Sequence, residues 1–285
     1  MPIELHERLS EFSYGYGVTR EVEKRLESAG LFTVPFLPSL MHEASLGFDV
    51  GFDVQGAALM LQFKLGQALR RFVPAPRPKL GQPFWRYHID TAEPDGQFEL
   101  LLKAEQDGAD VFYVAPIFHD WEEYLGHYER NEVLENSLIV TPGGIRSVLQ
   151  GNGISDGAHK IVYDATRAYV CSRPLPLATV GARDIAHKVA TRLEVRKISL
   201  GEVLERILAG FERREAVRQP FRDRRQDSER IAYRIASDEG RSTALRQQRL
   251  SRLRASGRSR EEAVALLVGA EAWSMGAQLI FVNRK

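Results

Sequence analysis

The chain is short of the residues that build covalent or metal-stapled scaffolds. It has one cysteine, Cys171, in 285 residues, which excludes an intrachain disulfide framework and a cysteine-rich zinc site. It has no apolar run approaching the roughly 18 residues a membrane span needs, so none is expected. The opening residues, MPIELHERLSEF, are charged and lack the apolar stretch of a secretion signal. A soluble, cytoplasmic protein is the expectation. Residues 13–17 (SYGYG) are glycine-punctuated, but no Gly-Lys-Ser/Thr follows, which excludes a P-loop there. The histidines His42, His88, His119 and His127 are scattered, and an eight-residue separation of His119 and His127 suits a shared metal poorly. Cys171, within YVCSRP, reads as a small buried apolar residue rather than a nucleophile.

Enough apolar residues remain for a real core, at 44% of the chain. The net charge of +1 conceals an asymmetry: residues 191–260 hold 19 Lys and Arg against 10 Asp and Glu, a net +9, while residues 1–190 carry −7. Such an imbalance points to a segment facing nucleic acid or a partner. Its plain alternative is an Arg-rich solvated helical face with i,i+4 pairs.

Along the chain, residues 19–29 read as a helix capped by Thr19 and closed by Gly30. Residues 48–64 read as a β-hairpin: two runs of alternating character flank Gln55-Gly56, which takes the turn. Prolines 74, 76, 78 and 83 mark a loop. A strand follows over 84–89, a helix from Gln97, and an apolar strand over 110–115. A helix over 119–130 comes next, then short strands over 137–140, 160–163 and 168–172. Beyond about residue 182 helices dominate, over 199–217, 221–255 and 259–275, and the terminal QLIFV run returns as a strand. The division expected is an α/β domain over 1–190 and a basic helical region over 191–285.

In the hairpin register, Asp49 lies across from Gln62 with Cβ atoms about 5 Å apart. Lys64 follows on the same face. An acid, an amide oxygen and an ammonium group gathered on one strand pair can hold a hard cation and a phosphate. Asp53 is the rival acid, displaced along the strand in this register. The plain reading of Asp49 and Lys64 is a solvated pair contributing about 0–1 kcal/mol.

The order helix, three strands, helix, strand, with Asp49 on the first strand and Gln62-Phe63-Lys64 on the second, resembles the PD-(D/E)xK nuclease superfamily. The resemblance covers roughly residues 15–116. It implies a restriction-endonuclease-like αβββαβ core, here with an appended Arg-rich α-helical region. It also implies a catalytic set of Asp49, Gln62 and Lys64, completed by a glutamate on the preceding helix, Glu21 or Glu23. Asp49, the Gln62 amide oxygen and the Phe63 carbonyl would then hold Mg²⁺, with Mn²⁺ as a substitute. Some members carry Gln-x-x-x-Tyr on the helix after the third strand; Gln97 matches its first position and Leu101 departs from its last. The proline usual before the acid is replaced by Phe48. Mg²⁺ prefers oxygen ligands, and a bound ion acidifies its water, while a lysine offsets charge growing at phosphorus.

The activity implied is Mg²⁺-dependent hydrolysis of phosphodiester bonds, of DNA before RNA, in a role such as bacterial defence. Arg86, Gln97, Arg224 and Arg225 are the expected nucleic-acid contacts, with the Arg clusters giving salt-sensitive affinity. The alternative is a catalytically weak module of the same fold that holds nucleic acid or a partner subunit. A third reading makes the helices a protein-binding or homo-oligomer surface. No membrane partner is expected.

Overall fold

The computed structural model describes residues 4–5, 9–37, 50–70, 80–92, 96–171, 173–218 and 243–284. The fold is mixed α/β and contains two sheets. The first has the order β1 (Glu4–Leu5), β4 (Gln67–Leu69), β5 (Phe84–Asp90), β8 (Ala158–Tyr163), β9 (Ala168–Cys171), β10 (Pro174–Leu177), antiparallel throughout. The second has the order β2 (Leu31–Pro35), β11 (Ala277–Arg284), β3 (Gly56–Phe63), β6 (Asp110–Pro116), β7 (Ser137–Val140). The helices are α1 (Glu11–Ser28), α2 (Gln97–Asp107), α3 (Trp121–Arg130), α4 (Pro142–Gly151), α5 (Ala182–Val195), α6 (Leu200–Arg218), α7 (Thr243–Ala255) and α8 (Arg260–Ser274). Among the described residues, no helix is long and apolar enough to cross a membrane.

Two compact units share the chain, and they interleave. One comprises Met1–Ala29, Leu61–Leu102 and Val111–Lys188; the other comprises Gly30–Met60, Lys103–Asp110 and Val189–Lys285. A division after residue 190 therefore captures only the last crossing. The chain also passes between units within β3, α2 and β6.

In the first unit, aromatic side chains from both sheets form the core. Tyr87 on β5 stacks on Tyr113 of β6 at 6.3 Å and meets Tyr163 of β8 edge-on at 6.0 Å. The Tyr163 hydroxyl donates to the Pro116 carbonyl at 3.0 Å. In the second unit, β11 pairs with β2 through Phe281 and Val34. Helix α8 starts from a capping box, in which Ser259 and Glu262 satisfy each other's backbone N–H. It buries Val264, Leu266, Leu267 and Val268.

Several elements differ from the sequence expectation. The hairpin does not form over residues 50–64. Residues 52–54 bond to the start of α6 instead: Leu200 N donates to the Val54 carbonyl at 3.0 Å and Gly201 N to the Phe52 carbonyl at 2.8 Å. Gly56 opens β3, whose eight residues are all buried. The strand lies between β11 and β6, and a strand flanked on both edges and buried on both faces needs no polar side.

Helix α1 starts at Glu11, with Ser10 as its cap, and runs straight through Gly15 and Gly17. Both glycines answer close packing: a Cβ at Gly15 would stand 2.6 Å from Phe63, and one at Gly17 would stand 2.9 Å from the Tyr124 hydroxyl. Pro142-Gly143-Gly144, just past the strand expected over 137–140, opens α4, with Thr141 as N-cap and proline at the first position, where its missing N–H costs nothing. The αβββαβ meander is also altered, since β3 and β5 belong to different sheets.

Candidate functional site

The site assembles within the first unit, where β3 ends. Lys64 directly follows the strand, and its backbone N–H donates to the Val114 carbonyl of β6 at 3.0 Å. The side chain is half-buried, and its Nζ donates to the Gln97 Oε1 at 2.6 Å. Burial lowers the Lys64 ammonium pKa from its ordinary value, and the Glu11 carboxylate acts against that shift. Glu11 in turn is raised by the protein packed around it, with Lys64 pulling it down. Each therefore feels the other's charge. Glu11 itself lies at the surface.

The local fold explains why these groups meet. Gly15 lets α1 press against Phe63, and Tyr14 meets the same ring edge-on at 6.0 Å. Glu11 lies one helical turn before Gly15, on the same side of α1, and its charge acts on Lys64, the residue after Phe63. Gln97 is the first residue of α2, whose start is pinned by its neighbours. Phe98 stacks on Tyr113 at 6.4 Å, Arg146 lies 5.2 Å over the Phe98 ring, and Arg146 pairs with Glu99 and Asp156. A fixed helix start thus holds the amide that holds the lysine.

Gln62 is 1% exposed. Its Nε2 donates to the Phe63 carbonyl at 3.1 Å, and its Oε1 is buried without a hydrogen-bond partner among the described residues. An amide oxygen in that state suits a hard cation, which takes oxygen donors of either charge. The Phe63 carbonyl, expected as a second ligand, is engaged by Gln62 itself.

Glu21, expected as the helix acid, does something else. Its two carboxylate oxygens accept the backbone N–H groups of Val133 at 2.8 Å and Leu134 at 2.9 Å, tying α1 to the loop before β7. Burial raises its carboxyl above the usual range, and those two N–H groups work against the rise. The α1 acid whose charge reaches Lys64 is Glu11. No spacing rule points to Glu11, because residues 13–17 are glycine-punctuated and the sequence signals a helix only from Thr19.

Arg86 is committed to a cross-strand partner on the first sheet, its Nε donating to Gln67 Oε1 at 2.9 Å. Asp49, Arg224 and Arg225 lie outside the described residues, and Asp53 is exposed. Cys171 is half-buried, and burial pushes its thiol up to about 11, the wrong direction for a nucleophile. Among the described residues, His119, Asp120 and Glu123 bring ligand atoms within 4.8 Å of one another. Their bonds are those of a helix start: Asp120 Oδ1 accepts from Glu123 N at 2.8 Å, and Glu123 Oε2 accepts from His119 N at 3.1 Å.

No family model, no curated protein and no solved structure matches this chain.

Proposed function

We propose that this chain is a metal-dependent phosphodiester hydrolase acting on nucleic acid, with Lys64 as its catalytic cation. One observation carries the reading: Lys64, half-buried, is held at 2.6 Å by the first side chain of α2, and the charge of the α1 carboxylate Glu11 acts on it. A surface lysine in a solvated pair needs neither restraint. Gln62, Lys64 and Gln97 are kept from the motif and Glu11 takes the place of Glu21, while the hairpin register that set an acid opposite Gln62 does not form.

The roles follow from the chemistry of each group. Lys64 has three N–H donors. One is spent on Gln97, which aims the other two at a phosphoryl oxygen, where they offset the charge that grows as the bond to the leaving oxygen breaks. A lowered ammonium pKa also brings its proton closer to transfer near neutral pH. Glu11 keeps the group protonated by opposing that shift. Gln62 Oε1 would be one oxygen ligand of Mg²⁺, which would supply a more acidic water and charge neutralisation at the phosphate.

The test is incubation of the full chain with supercoiled plasmid, linear duplex and single-stranded RNA, in Mg²⁺, Mn²⁺ or EDTA. Nicking or cleavage in either metal and none in EDTA is the expected result. Absence of cleavage on all three substrates overturns the hydrolase. The complete burial of Gln62 favours one second reading, a module of the same construction that holds nucleic acid without cutting it; salt-sensitive binding without cleavage would mark it.

A further inference from the structure

Helices α1 and α3 of the first unit lie side by side and run in the same direction. The Tyr124 hydroxyl donates to the Ser13 carbonyl at 2.6 Å, Arg20 lies 4.4 Å over the Tyr128 ring, and Lys24 Nζ donates to Asn131 Oδ1 at 2.7 Å, so the contacts advance together along both helices. Their outward sides carry apolar groups. Phe12 and Tyr16, one turn apart on α1, are 77% and 58% exposed; Trp121 and Leu125, one turn apart on α3, are 47% and 40% exposed. These are four of the eight large apolar side chains that stand exposed among the described residues, so such groups concentrate on one surface instead of scattering singly. Ring contacts join them into a strip: Tyr16 stacks on Tyr128 at 6.2 Å, Tyr128 meets Tyr124 at 5.8 Å, and Tyr124 meets Trp121 at 5.2 Å. The three exposed aromatic side chains alone present on the order of 400 Å², the scale of the largest apolar patches on soluble monomers, which are often functional.

Acids rim the strip. On α1, Glu23 and Glu27 continue the face of Phe12 and Tyr16 at helical spacing; on α3, Glu122 and Glu129 lie three residues before and four after Leu125, as its neighbours on the helix surface. None of these four acids has an ion pair among the described residues. The Glu23 charge reaches the Tyr16 hydroxyl. Burial raises the Glu23 carboxyl, and the Glu27 charge adds to the rise. Two cations stand nearby, Arg20 on the Tyr128 ring and Lys24 on Asn131, while Arg130 is answered by Glu132 at 2.7 Å. Negative charge is therefore in surplus beside exposed rings, the reverse of what a phosphate backbone needs. A cationic protein segment gains twice: its charges meet unpaired carboxylates, and its apolar side chains cover rings that water otherwise wets.

We infer that α1 and α3 together form a docking surface for a basic amphipathic helix of a partner protein, its apolar face on Phe12, Tyr16 and Trp121 and its lysines or arginines against Glu23, Glu122 and Glu129. Two neighbouring helices leave a groove between rows of side chains into which a third helix packs, and an apolar stripe at i, i+3, i+4 and i+7 is what such a groove reads. The surface uses none of Glu11, Gln62, Lys64 and Gln97, so docking is measured apart from hydrolysis.

The experiment is fluorescence anisotropy of a labelled helix-forming peptide of about 18 residues, five turns, titrated with the full chain. Leucines stand at i, i+3, i+4 and i+7, with lysine and alanine elsewhere. Three probes run beside it: the same peptide with glutamate for lysine, the same composition with the leucines dispersed around the helix, and single-stranded DNA of similar length. The titrations are repeated on Phe12→Ser, on Trp121→Ala and on the pair Glu122→Gln with Glu129→Gln, with thermal melting of each free variant to show that it folds. The lysine peptide should bind, more weakly as salt rises, and both control peptides should bind about tenfold or more less tightly. Loss of either aromatic anchor should weaken the lysine peptide by about tenfold or more, and the glutamine pair should weaken it and flatten its salt dependence. Any of four results overturns the inference: no binding of the lysine peptide, equal binding of either control peptide, wild-type affinity in both aromatic variants, or DNA that displaces the peptide and no longer binds Trp121→Ala, which would make the strip a base-stacking platform.

Discussion

Replacing Gly15 with alanine tests the contact that seats α1 against the end of β3. In a helix interior, alanine gains about 1 kcal/mol over glycine. At this position the new Cβ would lie 2.6 Å from Phe63 Cε2 and 2.7 Å from its Cδ2, where ordinary contact begins at 3.4 Å. The ring has little freedom to retreat: Phe63 is buried, and Tyr14, edge-on to it, is fixed by a 2.7 Å hydrogen bond to Ser137. Overpacking of this kind costs about 1–3 kcal/mol. The net expectation is a loss of about 0–2 kcal/mol from those two terms. Gly126 on α3 is the control. There the nearest atom to an added Cβ is the Arg130 guanidinium at 3.3 Å, the end of an exposed side chain that can swing aside. Gly126→Ala should therefore stabilise by about 0.5–1 kcal/mol. Urea unfolding followed by far-UV circular dichroism, compared at a common slope, reads both variants. The same chemical change should act in opposite directions at two helical sites of one unit. If Gly15→Ala stabilises as much as Gly126→Ala, α1 is not pressed on Phe63 and the account of how Glu11 reaches Lys64 fails.

Three further outcomes follow. Glu21→Gln keeps one acceptor for Val133 and Leu134 and sets an amide against the other N–H, so it should destabilise by about 1–3 kcal/mol in urea titration; a neutral effect would return Glu21 to the list of candidate acids. Asp164, whose burial alone would raise its carboxyl, is held below the usual range because the N–H groups of Gly81, Thr166 and Arg167 and the Thr166 hydroxyl bond to it. Its folded pKa is depressed, so its stabilisation is present above the unfolded value of about 3.9 and is lost as pH falls through the folded one. Asp164→Asn should destabilise at neutral pH and flatten the acid side of a pH–stability curve; an unchanged acid slope would contradict this. Glu11→Gln removes the charge that supports the Lys64 ammonium, so the alkaline limb of a pH–rate profile should move to lower pH; a limb that stays in place would remove Glu11 from the site.

What the sequence disclosed and what it hid divide along physical lines. Strand β6 and helix α3 were legible because their signals are local. One is an apolar run ended by Pro116; the other is a helix opened by the Asp120 cap and closed at left-handed Asn131. The terminal strand was legible for the same reason. Helix α1 was half-hidden because glycines 15 and 17 carry a tertiary meaning, the approach of Phe63 and Tyr124, that no local rule contains. The hairpin was misread because Gln55-Gly56 has the composition of a turn, while the bonds of residues 52–54 go to α6, some 145 residues further along the chain. Of the candidate site, Gln62, Lys64 and Gln97 were visible as a motif. Glu11 was not, since its role depends on a helix start that the glycines concealed.

Lys64 is the residue on which the functional reading turns, and its substitution is the most direct test. Plasmid cleavage by the full chain in Mn²⁺ should be compared between wild type and Lys64→Met, a change that keeps the chain's length and removes the charge, with melting temperatures measured alongside. The account predicts a fall in rate of about a hundredfold or more, the scale of losing one preorganised electrostatic donor, with the fold intact. Metal-dependent cleavage that proceeds unchanged in Lys64→Met would contradict it.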